Sequence, residues 1–261
     1  MGILNVTPDS FSDGGRFDRF DDALKHAERL VREGAHILDI GGESTRPGAQ
    51  AVAESEEIDR VVPVIEAIAS RLEVPISVDT SKAGVMSAAV EAGACMINDV
   101  NALRGEGVLD VAASLDVPVC LMHMQGEPRT MQENPQYADV VTDVKEFLLE
   151  RAKVCEAAGI AADRILLDPG FGFGKTLEHN LALLKNLPAL VGEGYPVLVG
   201  ASRKSMLGLI TGREVDQRLA GSLAVALMAL QGGAAVLRVH DVAETTDVLK
   251  VWQAVSATAV S

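Results

Sequence analysis

The sequence predicts an α/β fold, a single-domain (β/α)8 TIM barrel running over residues 1–261, and three observations carry the prediction. Eight short runs rich in β-branched residues alternate with eight longer segments of helical periodicity, the pattern that builds parallel sheets. The 261 residues match the usual size of such a barrel, and at 48% hydrophobic they supply one large core. Aromatic residues make up only 3%, so Ala, Val, Leu and Ile carry the apolar mass, which suits strands buried on both faces beneath a ring of helices and speaks against a β-sandwich.

In chain order, the first strand spans residues 3–6, and the helix after it sets Leu24, Ala27, Leu30 and Val31 on one face before Gly34 stops it. Strand two, residues 37–40, follows directly from the turn Glu33-Gly34-Ala35. Strand three is Ile76–Asp79. A similar turn, Glu91-Ala92-Gly93, leads into strand four at residues 96–100. Val119–Met122 is the fifth strand, and Ala157-Ala158-Gly159 again closes a helix before the sixth, Ile165–Asp168. Residues 197–200 and 236–239 complete the eight, with an Ala- and Leu-rich helix at 219–230 between them. The intervals between the turns vary too much for a solenoid repeat, so they read as the αβ turns of a barrel. The least regular stretches, 7–20, 44–54 and 124–136, each follow a strand, which places all three on one face of the barrel.

A formal charge of −14 leaves no excess of Lys and Arg for a general nucleic-acid or membrane surface, so any anionic ligand must be held by a local cluster. Cys95, Cys120 and Cys155 are odd in number and lie in apolar stretches, and are expected to be reduced buried thiols. Neither a signal-peptide pattern nor an apolar run of ~18 residues occurs, and the expectation is a soluble cytoplasmic protein.

Barrel enzymes gather their reactive groups at the C-terminal ends of the strands. Those ends carry Asn5, Asp39, Asp79, Asn98 with Asp99, His123, Asp168, Ser202 to Lys204, and Arg238 with His240. So many polar groups closing apolar strands would be costly to desolvate unless they bound one another or a ligand. Asp39 and Asp99 are equally readable as helix N-caps. Asp79, Asn98 and Asp168 form an acceptor-and-amide group suited to a flat heterocycle with several N–H donors, such as an aminopyrimidinone. Arg46, Lys204, Arg238 and His240, with Asn5, form a second group suited to phosphate. The glycine-rich stretch from Asp168 to Thr176 fails both the Walker spacing, having Pro169 for Gly, and the dinucleotide pattern, having Lys175 for Gly. Phe171 and Phe173 within it are expected to wall the ring pocket. Asp9 to Gly14 matches only a fragment of a calcium loop. His26, His36, His123, His179 and His240 show no close metal spacing; His26 and His179 read as helix-surface residues, and His123 has no assigned role.

These residues also carry a family resemblance. Met1-Gly-Ile-Leu-Asn5-Val-Thr-Pro-Asp-Ser-Phe-Ser-Asp13-Gly-Gly resembles the first signature of the dihydropteroate synthases, and Asp39-Ile-Gly-Gly-Glu-Ser-Thr45-Arg46-Pro47-Gly48 the second. Ser77-Val-Asp79-Thr, Ile97-Asn98-Asp99-Val, Leu167-Asp168-Pro-Gly-Phe-Gly-Phe-Gly-Lys175, Gly200-Ala-Ser202-Arg203-Lys204-Ser205 and Arg238-Val239-His240-Asp241 follow in order. The similarity runs essentially from end to end.

The resemblance implies a pterin-binding barrel that condenses 6-hydroxymethyl-7,8-dihydropterin pyrophosphate with p-aminobenzoate, giving 7,8-dihydropteroate and pyrophosphate in folate biosynthesis. It implies Asp79, Asn98, Asp168 and Lys204 around the pterin, and Thr45, Arg46, Arg238 and His240 for the pyrophosphate; Phe173 and Val239 are counted with the substrate-binding residues. Phe11, Pro47, Ser202, Arg203 and Ser205 would shape the p-aminobenzoate pocket, the sulfonamide site of the family. Asn5 would help hold Mg²⁺, and Asp13, Arg46, Lys204, Arg238 and His240 would form the catalytic set. A homodimer is expected. Members usually carry a short segment ahead of the first signature that covers the barrel floor; here Met1 lies inside the signature, and the floor is expected to expose apolar surface. The competing readings are a methyltetrahydrofolate–corrinoid methyltransferase, which shares the ring contacts but has no use for the cationic group, and a non-catalytic pterin-binding module.

Overall fold

The computed structural model describes residues 1–7, 16–44, 51–126 and 130–258. Eight strands and ten α-helices lie among them. The first half alternates strictly: β1 Gly2–Asn5, α1 Arg16–Arg32, β2 Leu38–Gly41, α2 Glu54–Ala69, β3 Ile76–Asp79, α3 Ala83–Glu91, β4 Met96–Asp99 and α4 Val108–Ser114. β5 Val119–Met122, α5 Val140–Ala157 and β6 Ile165–Asp168 continue the pattern. Two helices, α6 Leu177–Lys185 and α7 Leu187–Val191, then precede β7 Leu198–Val199, and two more, α8 Ser205–Thr211 and α9 Leu219–Gln231, precede β8 Val236–Leu237. α10 Val242–Ser256 ends the set.

All strand pairs are parallel and follow chain order from β1 to β6, with β7 beside β8. Single bridges, Leu167 to Val197 and Gly2 to Val239, join β6 to β7 and β8 to β1. The last seam is closed by Ile3 N–H donating to Val239 O at 3.0 Å and Val239 N–H donating to Met1 O at 3.0 Å. The sheet therefore closes on itself, as the eight alternating units predicted. Strand bounds shift by one residue at β1 and β2 and shorten at β4, β7 and β8. The eight expected helices become ten because Pro188 opens a separate helix after α6, and Gly212, in the left-handed region at φ +69°, stops α8 before α9.

Period-two alternation along each strand gives two cores. Leu4, Leu38, Ile40, Val78, Ile97, Val119, Leu121, Ile165, Leu167 and Val197 face the helices, where Leu24, Ala27 and Leu30 of α1 meet them as expected. Met96, Cys120 and Leu198, with Leu166 and Val236, face the barrel axis and plug it. Cys120 and Cys155 are buried, but Cys95 is exposed because it lies in the turn before β4 rather than on the strand. The expected αβ turns all end in glycines at positive φ, with Gly34 at +101°, Gly93 at +117° and Gly159 at +101°. At the floor, a cavity of about 150 Å³ lies between Met1, Ile37, Leu230, Val236, Leu237 and Leu249. No helix among the described residues is long and apolar enough to cross a membrane.

Candidate active site

Two residues beyond the axial plug, four strands swap their apolar group for a polar or small one, while β5 keeps an apolar residue, Met122 after Cys120. Met96 is followed on the same face by Asn98, Leu166 by Asp168, Leu198 by Gly200 and Val236 by Arg238. Ser77 gives way to Asp79 in the same manner. The i+2 step thus builds a rim of chemistry directly above a dry core, on the face where the strands end.

Charge is concentrated in that rim. Arg238 Nε donates to Asp39 Oδ2 at 2.6 Å, and its terminal nitrogen donates to Asp79 Oδ2 at 2.7 Å. Asn98 Nδ2 also donates to Asp39 Oδ2, at 3.2 Å. Asp39 is fully buried inside the barrel, so it is no helix cap, and its Oδ1 has no hydrogen-bond partner among the described residues. Asp99 accepts from the backbone N–H groups of Asn101 and Leu103 at 2.8 Å each, which ties down the turn after β4; the next helix, α4, has Gly107 at its N-cap, so Asp99 is no helix cap either. Burial opposes the charge on Arg238, but Asp39 and Asp79 hold it more firmly cationic than an ordinary arginine. Burial raises Asp79 to about 7 against the pull of Arg238, with Asp39 adding to the rise. One guanidinium thus serves two carboxylates, and the rim has more acceptors than donors, which suits a donor-rich occupant.

The loop after β6 forms one wall. Asp168 Oδ1 accepts from Gly170 N–H at 2.7 Å, and burial raises its pKa. Phe173 packs with Met122, Met124 and Met131, and Lys204 Nζ lies 4.1 Å from the centre of its ring. Burial first, then Arg238, lowers Lys204 to about 8. Phe171 does not wall the site; it is 1% exposed within the helix-facing core.

The loop after β7 supplies Ser202 to Ser205. His240 N–H donates to Ser202 Oγ at 3.2 Å, and His240 Nδ1 lies 3.1 Å from the same oxygen. The hydroxyl proton of Ser202 is then available to Nδ1, which leaves the ring proton on Nε2. Burial, then Arg203 and Arg238, lowers His240 to about 4, so it is a neutral donor rather than a cation at neutral pH. Arg203 stands at φ +57°, its guanidinium clamped by both oxygens of Asp241. Ser205 is exposed at the start of α8. Val239 is not presented to the site: its side chain lies in the helix-facing core and its backbone forms the β8–β1 seam.

Asn5 is half-buried at the end of β1, its Oδ1 beside Gly41 and so near Asp79. Among the described residues no group of three His, Cys, Asp or Glu side chains could hold a metal. The one available donor at Asn5 is a neutral oxygen, which suits a hard cation that takes its remaining ligands from phosphate and water. Phe11, Asp13, Thr45, Arg46 and Pro47 lie outside the described residues. Just before the second of those stretches, Lys82 Nζ bonds Glu43 at 2.5 Å and also the buried Glu57, while Glu43 Oε1 accepts from Val52 N–H at 3.1 Å. Glu43, Glu57, Lys82 and Asp241 drew no role from the sequence. Their partners are 9 to 39 residues away, and only the spacing of Arg238 and Asp241 hinted at a shared loop.

The chain matches the family described as pterin-binding enzyme over residues 1–240. It is 56% identical to the dihydropteroate synthase of Haemophilus influenzae, the match covering 97% of this chain and 92% of that protein. Among solved structures, the dihydropteroate synthase of Xanthomonas albilineans with 4-aminobenzoic acid superposes with a TM-score of 0.95 at 57% identity, covering 99% of this chain and 93% of that one. The Xanthomonas albilineans enzyme in complex with 7,8-dihydropteroate gives 0.91 at 54% identity, covering 99% and 94%. With its strand-end rim, its closed barrel and these likenesses along nearly its whole length, the chain belongs to the pterin-binding enzymes, on the dihydropteroate synthase branch.

Proposed function

We propose that the chain is a dihydropteroate synthase, a transferase that joins 6-hydroxymethyl-7,8-dihydropterin pyrophosphate to p-aminobenzoate and releases pyrophosphate. The observation that carries this is a rim short of hydrogen-bond donors, Asp39, Asp79 and Asp168, set beside Lys204, Arg238 and His240 on one barrel face. The ring N–H and amino groups of a pterin would supply the donors that Asp79 and Asp168 lack, with Asn98 pairing a ring heteroatom. Phe173 and Lys204 would bound the ring on one side, and Lys204 would reach its polar edge. Displacement then occurs at the CH₂ carbon that bears pyrophosphate, with the aryl amine as nucleophile. That amine is unprotonated at neutral pH, so no strong general base is required, and the electron-rich ring favours departure ahead of attack.

The leaving group needs its growing charge neutralised. Arg238 would do so with Thr45, Arg46 and the neutral Nε2–H of His240. Asn5 would hold Mg²⁺; when bound, that ion neutralises phosphate charge and orients the leaving oxygens. Phe11, Pro47, Ser202, Arg203 and Ser205 would receive p-aminobenzoate, with Asp241 fixing the Arg203 guanidinium. Asp13 would close over the loaded site and limit hydrolysis of the activated pterin. The enzyme would act in the cytoplasm as a homodimer. Leu209, Ile210, Leu227, Met228, Val251 and Val255, on α9 and the two helices packed against it, α8 and α10, are exposed apolar groups suited to a subunit contact.

The test follows pyrophosphate release and dihydropteroate formation together, with Mg²⁺, with and without p-aminobenzoate. Release that depends on p-aminobenzoate and matches dihydropteroate in amount establishes the activity. Pterin binding without product returns the reading to a non-catalytic module.

A further inference from the structure

Lys175 follows the glycine-rich stretch and is 3% exposed, yet the proposed chemistry gives it no substrate contact. Its ammonium carries three hydrogens, and three acceptors surround it. His123 Nδ1 lies at 2.9 Å, the Phe173 carbonyl at 2.9 Å and the His123 carbonyl at 3.3 Å. Donors and acceptors match one for one, so the group is fully used inside the protein. Burial lowers its pKa to about 7, against the pull of Asp168, so a lysine is retained where its solvation is poor.

Two elements contribute these acceptors, the end of β5 and the loop after β6, and they approach closely elsewhere too. A Cβ on Gly170 would fall 2.0 Å from the His123 carbonyl oxygen, and one on Gly174 would fall 2.4 Å from that of Gln125. Lys175 therefore pins a backbone-to-backbone contact. The pinned loop bears both groups that the ring would meet on this side. Phe173 gives its carbonyl to Lys175 and its ring to Lys204, while Gly170 N–H orients Asp168. The His123 ring is itself held edge-on to Phe147 at 4.9 Å, with Tyr137 at 5.9 Å.

We infer that Lys175, with His123 as its fixed partner, is a positioning residue for the pterin pocket, holding residues 169–174 against the end of β5 so that Phe173 and Asp168 stand ready for the ring. The inference rests on the pterin reading above. Its effect falls on one substrate, because the residues proposed for p-aminobenzoate belong to other loops.

The experiment compares the wild type with Lys175→Met, His123→Phe and His123→Asn. It measures 6-hydroxymethylpterin binding by titration calorimetry and steady-state KM for both substrates. Lys175→Met keeps the volume but leaves three acceptors unpaired, and should raise the pterin Kd and the KM for pterin pyrophosphate about tenfold while moving the KM for p-aminobenzoate less than about twofold. His123→Phe keeps the ring packing and loses the acceptor, giving the same split at about threefold; His123→Asn restores an acceptor and recovers most of that loss. An unchanged pterin Kd, or equal losses for both substrates, overturns the inference. If Lys175→Met does not fold, the two His123 variants decide, and equal pterin affinity in both overturns it. A wild type that binds no pterin overturns the functional reading itself.

Discussion

Lys204 and Arg238 are both half-buried in the rim, and their protonation chemistry separates their roles. Lys204, drawn down to about 8 by burial and Arg238, changes charge within an accessible range. The ammonium is the form that donates to the pterin edge, so affinity should be full below the pKa and fall as pH rises through it. Pterin Kd measured from about pH 6.5 to about pH 9.5 should therefore weaken at the alkaline end, and Lys204→Arg, cationic throughout, should flatten the profile. A flat wild-type profile would remove Lys204 from the ring's edge. Arg238 stays charged and serves Asp39 and Asp79 together. Arg238→Met leaves two buried carboxylates without a cation and should cost about 3–5 kcal/mol at neutral pH. The sign with pH follows from linkage. Without the guanidinium the folded-state pKa of Asp79, already raised by burial, climbs further above its unfolded value, so the variant loses stability as pH rises through that interval. Urea unfolding should show a smaller deficit near pH 5 than near pH 8; an equal deficit would mean that packing, not charge, is what was lost.

At the scale of the element, the loop after β6 shows how close approach limits sequence. Gly170 stands at φ +68° with the His123 carbonyl where a side chain would begin. Gly170→Ala combines left-handed strain with overlap against backbone that has no room to retreat, and should lower stability by about 2–4 kcal/mol. Thermal denaturation checks this, and a loss below about 0.5 kcal/mol would show that the two backbones can part. The strands themselves were legible in the sequence because a barrel strand is an apolar run between glycine turns; only their ends moved, as at β1 and β2, where ladder partners rather than composition set the limits. The extra helix boundaries at Pro188 and Gly212 had visible signals that an expectation of eight equal units hid. The rim was legible as a set, since polar residues ending apolar runs are rare. Its internal pairing was not, because Arg238 meets Asp39 across 199 residues and only closure brings them together. Val239 and Phe171 were misplaced for a local reason: period two sends every second residue of a strand to the helix side, and the turn after Gly170 sends Phe171 there as well.

For the whole molecule, the proposed dimer would use the exposed apolar groups of α8 and α9. Leu209 and Ile210 are 69% and 54% exposed on α8, and Leu227 and Met228 are exposed on α9, the helix that packs against it. Sedimentation of the wild type should give a dimer, and the double substitution Leu209→Glu with Ile210→Glu should give a monomer with little change in Tm. A wild type that stays monomeric at micromolar concentration would leave this surface without that use. The seam between β8 and β1 has a consequence for how the protein is made. Its hydrogen bonds join Met1 and Ile3 to Val239, nearly the full chain apart, and the rim draws Asn5 from one side of the seam and Arg238 from the other. A ribosome adding ~5–20 residues per second keeps those two sides apart for roughly 10–50 s. Until then any sheet formed by the first six strands would have two unpaired edges, and the guanidinium that balances Asp39 and Asp79 does not yet exist. The nascent chain is therefore exposed to aggregation until the final strand docks, and ligand binding reports on completion of synthesis as much as on folding.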